Sequence, residues 1–239
     1  MKNNWTSQEL LQMNFIKTIF FCGIFFAPAC HSPQKSLPSQ FDFGNIEKNI
    51  YSNEFFDMRI EFPPDWHLVS AEEMEAYQKA AMEEQLKNDP ILSRNNYVRN
   101  ITETAINNYA SLLSVYKYKT EDDFVLYPSF ILHTFNTKGD GLDQTAKGYL
   151  FDLKVAKKRE PGELEVAEEF YWKNMGKEKY DALWWINYNF DTPIMHEVFA
   201  RKKEDLLLLI NITYSTQEEK NELHTILDRI QKLTINTSE

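Results

Sequence analysis

Leu206-Leu-Leu-Leu-Ile210 is an unbroken apolar run, followed shortly by Thr216-Gln-Glu-Glu219, and this junction constrains the fold more than any other part of the chain. A strand with one solvated face alternates polar and apolar residues, so a run without a break predicts a central strand covered on both faces. Thr216 and Glu219 have the spacing of a capping box, in which each side chain satisfies the other's orphan backbone N–H. Leu223, Ile226, Leu227, Ile230 and Leu233 then recur on one side of the helix this box opens. A central strand with a helix packed on its sheet is the expectation for the last third.

Upstream, residues 49–52 and 58–62 read as short strands around the turn residues Asn53 and Glu54, and Pro63-Pro64-Asp65 interrupts before a strand at 66–69. Ser70-Ala-Glu-Glu73 is a second capping box, predicting a helix to about residue 88. A less periodic helix is expected over 95–109. Strands follow at 112–119 and 129–136, then a turn at Lys138-Gly-Asp-Gly141. Asp143 can cap a helix to about residue 157 whose inward side is Ala146, Tyr149, Leu150 and Leu153. Residues 164–172, 180–190, 195–202 and 205–214 are the remaining strands.

The N-terminal part has a different character. From Met13 to Cys30 the chain carries one positive charge, Lys17, then an apolar core at 18–26, then Ala27-Pro28-Ala29. That is the layout of an export signal, and its core is too short to cross a bilayer as a helix. Residues 1–29 are therefore assigned as signal peptide; a start at Met1 and a start at Met13 both stay open, the polar stretch before Met13, including Glu9, being unlike a positive n-region. The cut site reads either as a lipobox, with Cys30 lipidated, or as an ordinary A-x-A site. Ala27 stands where a lipobox commonly has Leu. The cysteines favour the lipobox: Cys22 is lost with the signal, which leaves Cys30 unpaired in an oxidising compartment. Residues 30–48, with Pro33, Pro38 and several Ser and Gln, are expected to be the lipidated cysteine and a flexible tether. Residues 49–235 form a single domain, and 236–239 a tail.

Removing residues 1–29 takes Lys2, Lys17 and Glu9 from the 26 basic and 36 acidic residues, leaving 24 and 35 and a net charge of −11. Such a balance excludes a basic nucleic-acid footprint and argues against docking on anionic lipid by overall charge alone. The 43% hydrophobic content suits one substantial core.

The segment Tyr51-Ser-Asn-Glu-Phe-Phe-Asp-Met-Arg-Ile-Glu-Phe-Pro-Pro-Asp-Trp-His-Leu-Val-Ser70 resembles the opening of PsbP-like domains, in which an extended aromatic segment leads into a strand ending in a Pro-Trp turn, here Pro63, Pro64 and Trp66. The closing strand and helix at 206–231 are similar to the end of the same domains, and of small bacterial lipoproteins of unknown function built like them. The resemblance spans about residues 49–233. It implies an α/β/α sandwich around a mainly antiparallel central sheet, serving as a non-catalytic accessory or assembly module. No family binding residue is matched.

Chemical motifs are sparse. His196-Glu197 begins an H-E-x-x-H pattern, but Ala200 occupies the second ligand position, so no metal is expected. Residues 136–147 fail as a calcium loop, with Lys138 and Lys147 where oxygen ligands belong. No phosphate-cradling or nucleophile-elbow motif occurs among the seven glycines, and no cofactor is expected. Glu168-Glu169 and Asp122-Asp123 put their carboxylates on opposite faces if in strands, and so read as solvated. Trp172, Trp184 and Trp185 form a candidate interaction surface, since adjacent rings on a strand face opposite ways, although helices on both sides of the sheet would bury them. The resulting expectation is a non-enzymatic, lipid-anchored cell-envelope protein with an envelope-protein partner, placed at the outer membrane ahead of the inner. The alternative is an unanchored periplasmic or secreted module taking a small ligand or glycan in an aromatic cleft. A hydrolase is a third reading.

Overall fold

The computed structural model describes residues 37, 41–74, 76, 109–118, 128–137 and 144–233. The class is α+β, dominated by antiparallel sheet. A three-stranded sheet, β1 (Asn45–Glu47), β2 (Ile50–Asn53) and β3 (Met58–Glu61), lies beside an eight-stranded one. The large sheet comprises β4 (His67–Ser70), β5 (Tyr109–Tyr116), β6 (Ser129–Asn136), β7 (Leu164–Val166), β8 (Tyr171–Met175), β9 (Glu178–Asn187), β10 (Ile194–Lys203) and β11 (Leu206–Tyr214). Its order is β4-β5-β6-β11-β10-β9-β7, with β8 also paired to β9, and all of these pairings are antiparallel. Helix α1 (Ala146–Lys157) connects the two halves, and α2 (Gln217–Asp228) follows β11.

β11 is the central strand its sequence demands. Leu206, Leu208, Ile210, Ile212 and Tyr214 belong to one buried cluster, shared with α2 residues Leu223, Ile226 and Leu227 and with Tyr51, Phe56 and Ile60 of the small-sheet region. Leu207 and Leu209 belong to a second, shared with Leu150 and Leu153 of α1 and with Trp185. Each fully buried Leu contributes about 1.5–3 kcal/mol of apolar transfer, so covering both faces stabilises this strand more than alternation would. The Thr216 box is complete: the Glu219 N–H donates to Thr216 Oγ1 at 3.2 Å, and the Thr216 N–H donates to Glu219 at 3.1 Å. Thr216→Ala should therefore cost about 1 kcal/mol in urea unfolding, and an unchanged midpoint would contradict the cap's role.

Several boundaries differ from the sequence expectation. The fold begins before residue 49: Phe41 is buried and Asp42 ties its segment to the β2–β3 turn, its carboxylate accepting the N–H groups of Gly44, Glu54 and Phe55 at 2.7, 2.6 and 3.2 Å. The tether expected over 30–48 is thus too long, because the aromatic residues 41 and 43 carry packing that Ser, Pro and Gln around them obscured. Gly44 (φ 84) lies against Tyr51, where an added Cβ would fall 2.4 Å from the ring. The strand expected over 164–172 is two, β7 and β8, each pairing with a different half of β9. Thr145, not Asp143, caps α1, its side chain accepting from the Gly148 N–H at 3.0 Å. Tyr109 opens β5 rather than ending a helix. The Ser70–Glu73 box is present, with Ser70 N–H donating to Glu73 at 2.9 Å. The remainder of the helix it opens, most of the 95–109 helix, the turn at 138–141, Asp122-Asp123 and Cys30 lie outside the described residues.

Candidate functional site

Glu197 is a carboxylate in the middle of β10, only 3% exposed, on the face that packs against α2. Its neighbours come from three other elements. Oε1 accepts from Tyr214 Oη of β11 at 2.5 Å and lies 3.0 Å from His224 Nε2 and 3.5 Å from Lys220 Nζ, both on α2. Oε2 accepts from Tyr171 Oη of β8. With its Nε2 protonated, His224 is the third hydrogen-bond donor. Burial acting alone would raise the Glu197 carboxyl, but the bonds from His224, Tyr171 and Tyr214 outweigh it and bring it down to about 2. Burial pushes both tyrosines up, and the adjacent Glu197 anion pushes them further. The cluster is therefore an anion saturated with donors, joining α2 to three strands of the sheet.

His196 behaves oppositely to its sequence neighbour. Its ring stacks on Trp185 (centroids 4.9 Å apart, planes at 15°) and its Nδ1 lies 3.1 Å from Thr213 Oγ1. Burial, and secondarily Lys157, hold its pKa at about 3. His133, beside Ser111 Oγ at 3.3 Å, is pushed by burial to about 3 as well. These groups fix the sign of the acid response. Unfolded histidine binds a proton near pH 6.5 and the folded rings resist it until about pH 3, so stability is present above 6.5 and falls through that window. Glu197 adds a loss between its ordinary 4.5 and about 2. The expected slope is up to about 1.4 kcal/mol per group per pH unit, read as a lower urea midpoint at pH 4.5 than at pH 7. A midpoint unchanged between these conditions would contradict the burial of both rings.

The three tryptophans do not share a surface. Trp185 is 4% exposed, stacked on His196 on one side with Lys157 Nζ 5.1 Å from its ring centroid, so its place in an interaction surface is corrected: it is core under α1. Trp184 is half-buried and lies across from Glu197 in the β9–β10 register. Trp172 alone is open, 58% exposed on β8 with Lys179 Nζ 4.9 Å from its centroid. Glu168 and Glu169 are exposed, and Glu168 pairs with Lys158 at 3.2 Å. Among the described residues no group of three or more His, Cys, Asp or Glu could hold a metal ion, and no helix is long and apolar enough to cross a membrane.

Sequence spacing could not find the Glu197 cluster, because Tyr171, Tyr214 and His224 are brought together by sheet order. One signal was present: a carboxylate beside Val198, Phe199 and Ala200 in a strand of a sheet expected to carry helices on both sides.

No family model and no curated protein matches the sequence. Among solved structures, the chain is similar to LpqN, involved in cell envelope biogenesis of Mycobacterium tuberculosis, at 12% identity over 98% of this chain and 100% of that one, with a TM-score of 0.42. It is also similar to a protein from Bacteroides thetaiotaomicron VPI-5482, at 8% identity over 76% of this chain, with a TM-score of 0.38. The chain spans 47% of that protein's length. Both scores fall below 0.5, so neither likeness assigns a family or a role.

Proposed function

We propose that this chain is a bacterial cell-envelope lipoprotein, attached to a membrane through an acylated Cys30, whose α+β domain is a non-catalytic interaction or assembly module with a PsbP-like sandwich. The observation that carries this reading is the run from Met13 to Cys30: a charged start, a short apolar core, and small residues before the one cysteine that survives processing. Two features of the domain support a non-catalytic role. Its most concentrated titratable group, Glu197, is held as an anion by saturating donors, whereas a general acid at neutral pH needs a raised pKa. The separation of Trp172, Trp184 and Trp185 favours this reading over a ligand-binding module built on those three rings.

Growth with radiolabelled palmitate, comparing the wild type with Cys30→Ser, tests the anchor. Label in the wild type alone, together with its sedimentation with membranes, is the expected result. Equal labelling of both forms, or a soluble wild-type protein, would remove the anchor. Co-purification from detergent-solubilised envelope addresses the partner: a reproducible envelope protein retained by wild type is expected, and substrate turnover by the purified domain would contradict the non-catalytic role.

A further inference from the structure

The antiparallel order gives the large sheet two distinct ends. The β8–β9 turn at Gly176 and Lys177, the β10–β11 turn at Glu204, and the bridge between Arg59 and Gln231 lie toward one end. The β9–β10 connection, including Thr192, lies at the other. The ten residues of β10 separate these ends by roughly 33 Å. The N-terminal segment enters at the first end. Phe41 packs against Phe43 and Phe55 with centroids 5.2 and 5.6 Å apart, and Lys203 Nζ lies 5.5 Å from the Phe55 centroid. Arg201 donates to Phe56 O at 2.8 Å, and Lys232 pairs with Asp57 at 2.9 Å.

We propose that this end, centred on the exposed ring of Phe43, rests on the surface of the lipid bilayer; the inference depends on the lipid attachment at Cys30 proposed above. Reach argues for it. The link of about eleven residues from Cys30 to Phe41 can reach at most roughly 38 Å. Leu37 already packs on the core, which shortens that reach further. Turning the opposite end to the membrane would lift Phe41 by the sheet's length, close to the whole of that reach, which the first orientation does not require.

Charge is compatible with this orientation. Among the described residues at this end, Arg59, Lys177, Lys179, Arg201, Lys202, Lys203 and Lys232 outnumber Asp42, Glu54, Asp57, Glu178, Glu204 and Asp205 by one. The end is slightly basic in a chain of net charge −10, so it avoids the repulsion from anionic headgroups that overall charge implies. Phe43 is 44% exposed, an apolar ring that packs edge-on to Phe41 and is placed to enter the interface. The opposite end exposes Tyr188 and Phe190 too, and these then face away from the membrane, toward a partner.

The test uses the full lipidated chain in phosphatidylethanolamine–phosphatidylglycerol vesicles. After processing, Cys30 is the one native cysteine and its sulfur is blocked by the lipid, so Phe43→Cys or Thr192→Cys offers a single site for a nitroxide. Oxygen accessibility relative to that of a water-soluble nickel relaxant should be severalfold higher at position 43 than at 192. Equal, water-like values at both positions on chains that float with the vesicles would overturn the docking and leave the anchor standing. Chains that stay in solution would overturn both. Hydroxyl-radical footprinting of the unsubstituted protein covers the case of a variant that misfolds: vesicles should protect Phe43 and leave Phe190 reactive, and the reverse contradicts the proposal.

Discussion

Glu197→Ala should lower the unfolding free energy by about 3–5 kcal/mol, the range for breaking a buried charged network by removing one partner. The loss has two parts. Tyr171 Oη and Tyr214 Oη each lose a charged acceptor, and orphaned buried donors cost about 1–3 kcal/mol apiece. His224 and Lys220 also lose the anion that draws α2 onto the sheet. Glu197→Gln keeps an acceptor oxygen and removes the charge, so it should fall between wild type and alanine. Urea unfolding of the three proteins at pH 7 checks the order. An alanine variant within about 0.5 kcal/mol of wild type would place Glu197 outside the fold's essential contacts.

Trp185→Ala carries the second large effect, about 3–5 kcal/mol, as expected for an aromatic side chain deleted from a closed core. The cavity would open between His196, Lys157 and the aliphatic residues of α1. Trp172→Ala supplies the contrast. More than half exposed at the sheet edge, it should cost no more than about 0.5 kcal/mol. Thermal unfolding of the pair decides the matter: equal losses would mean that Trp185 is not enclosed as described.

The parts of the fold legible in the sequence were those governed by local periodicity and local capping. The unbroken Leu206–Ile210 run located β11 at the centre, and the Thr216–Glu219 box located the start of α2. Both signals are complete within about ten residues. Less legible was anything set by which strands become neighbours. Residues 164–172 looked continuous because each half has strand chemistry, yet Val166 pairs with Trp185 and Tyr171 with Ala182, so the chain must break between them. The onset of the fold was hidden for a related reason. Asp42 and Phe41 have no periodic neighbours, and their partners at 54–56 lie beyond β1 and β2.

The candidate site followed the same division. His196 and Glu197 were visible as a pair, but the physics separating them is tertiary: alternate pleats send the histidine to Trp185 and the glutamate to Tyr171, Tyr214 and His224. The acid sensitivity expected from the buried histidines and the mechanical tie at Glu197 both depend on that division. The role proposed for Cys30 rests instead on a linear signal read by processing enzymes, which needs no fold.

The most direct test of that role is the mass of the N-terminal peptide from protein purified out of membranes. The account predicts that it begins at Cys30 and carries a diacylglyceryl group on sulfur, with or without further acylation of the amine. A peptide beginning at an unmodified Cys30, or one retaining residues upstream of it, would contradict lipid anchoring.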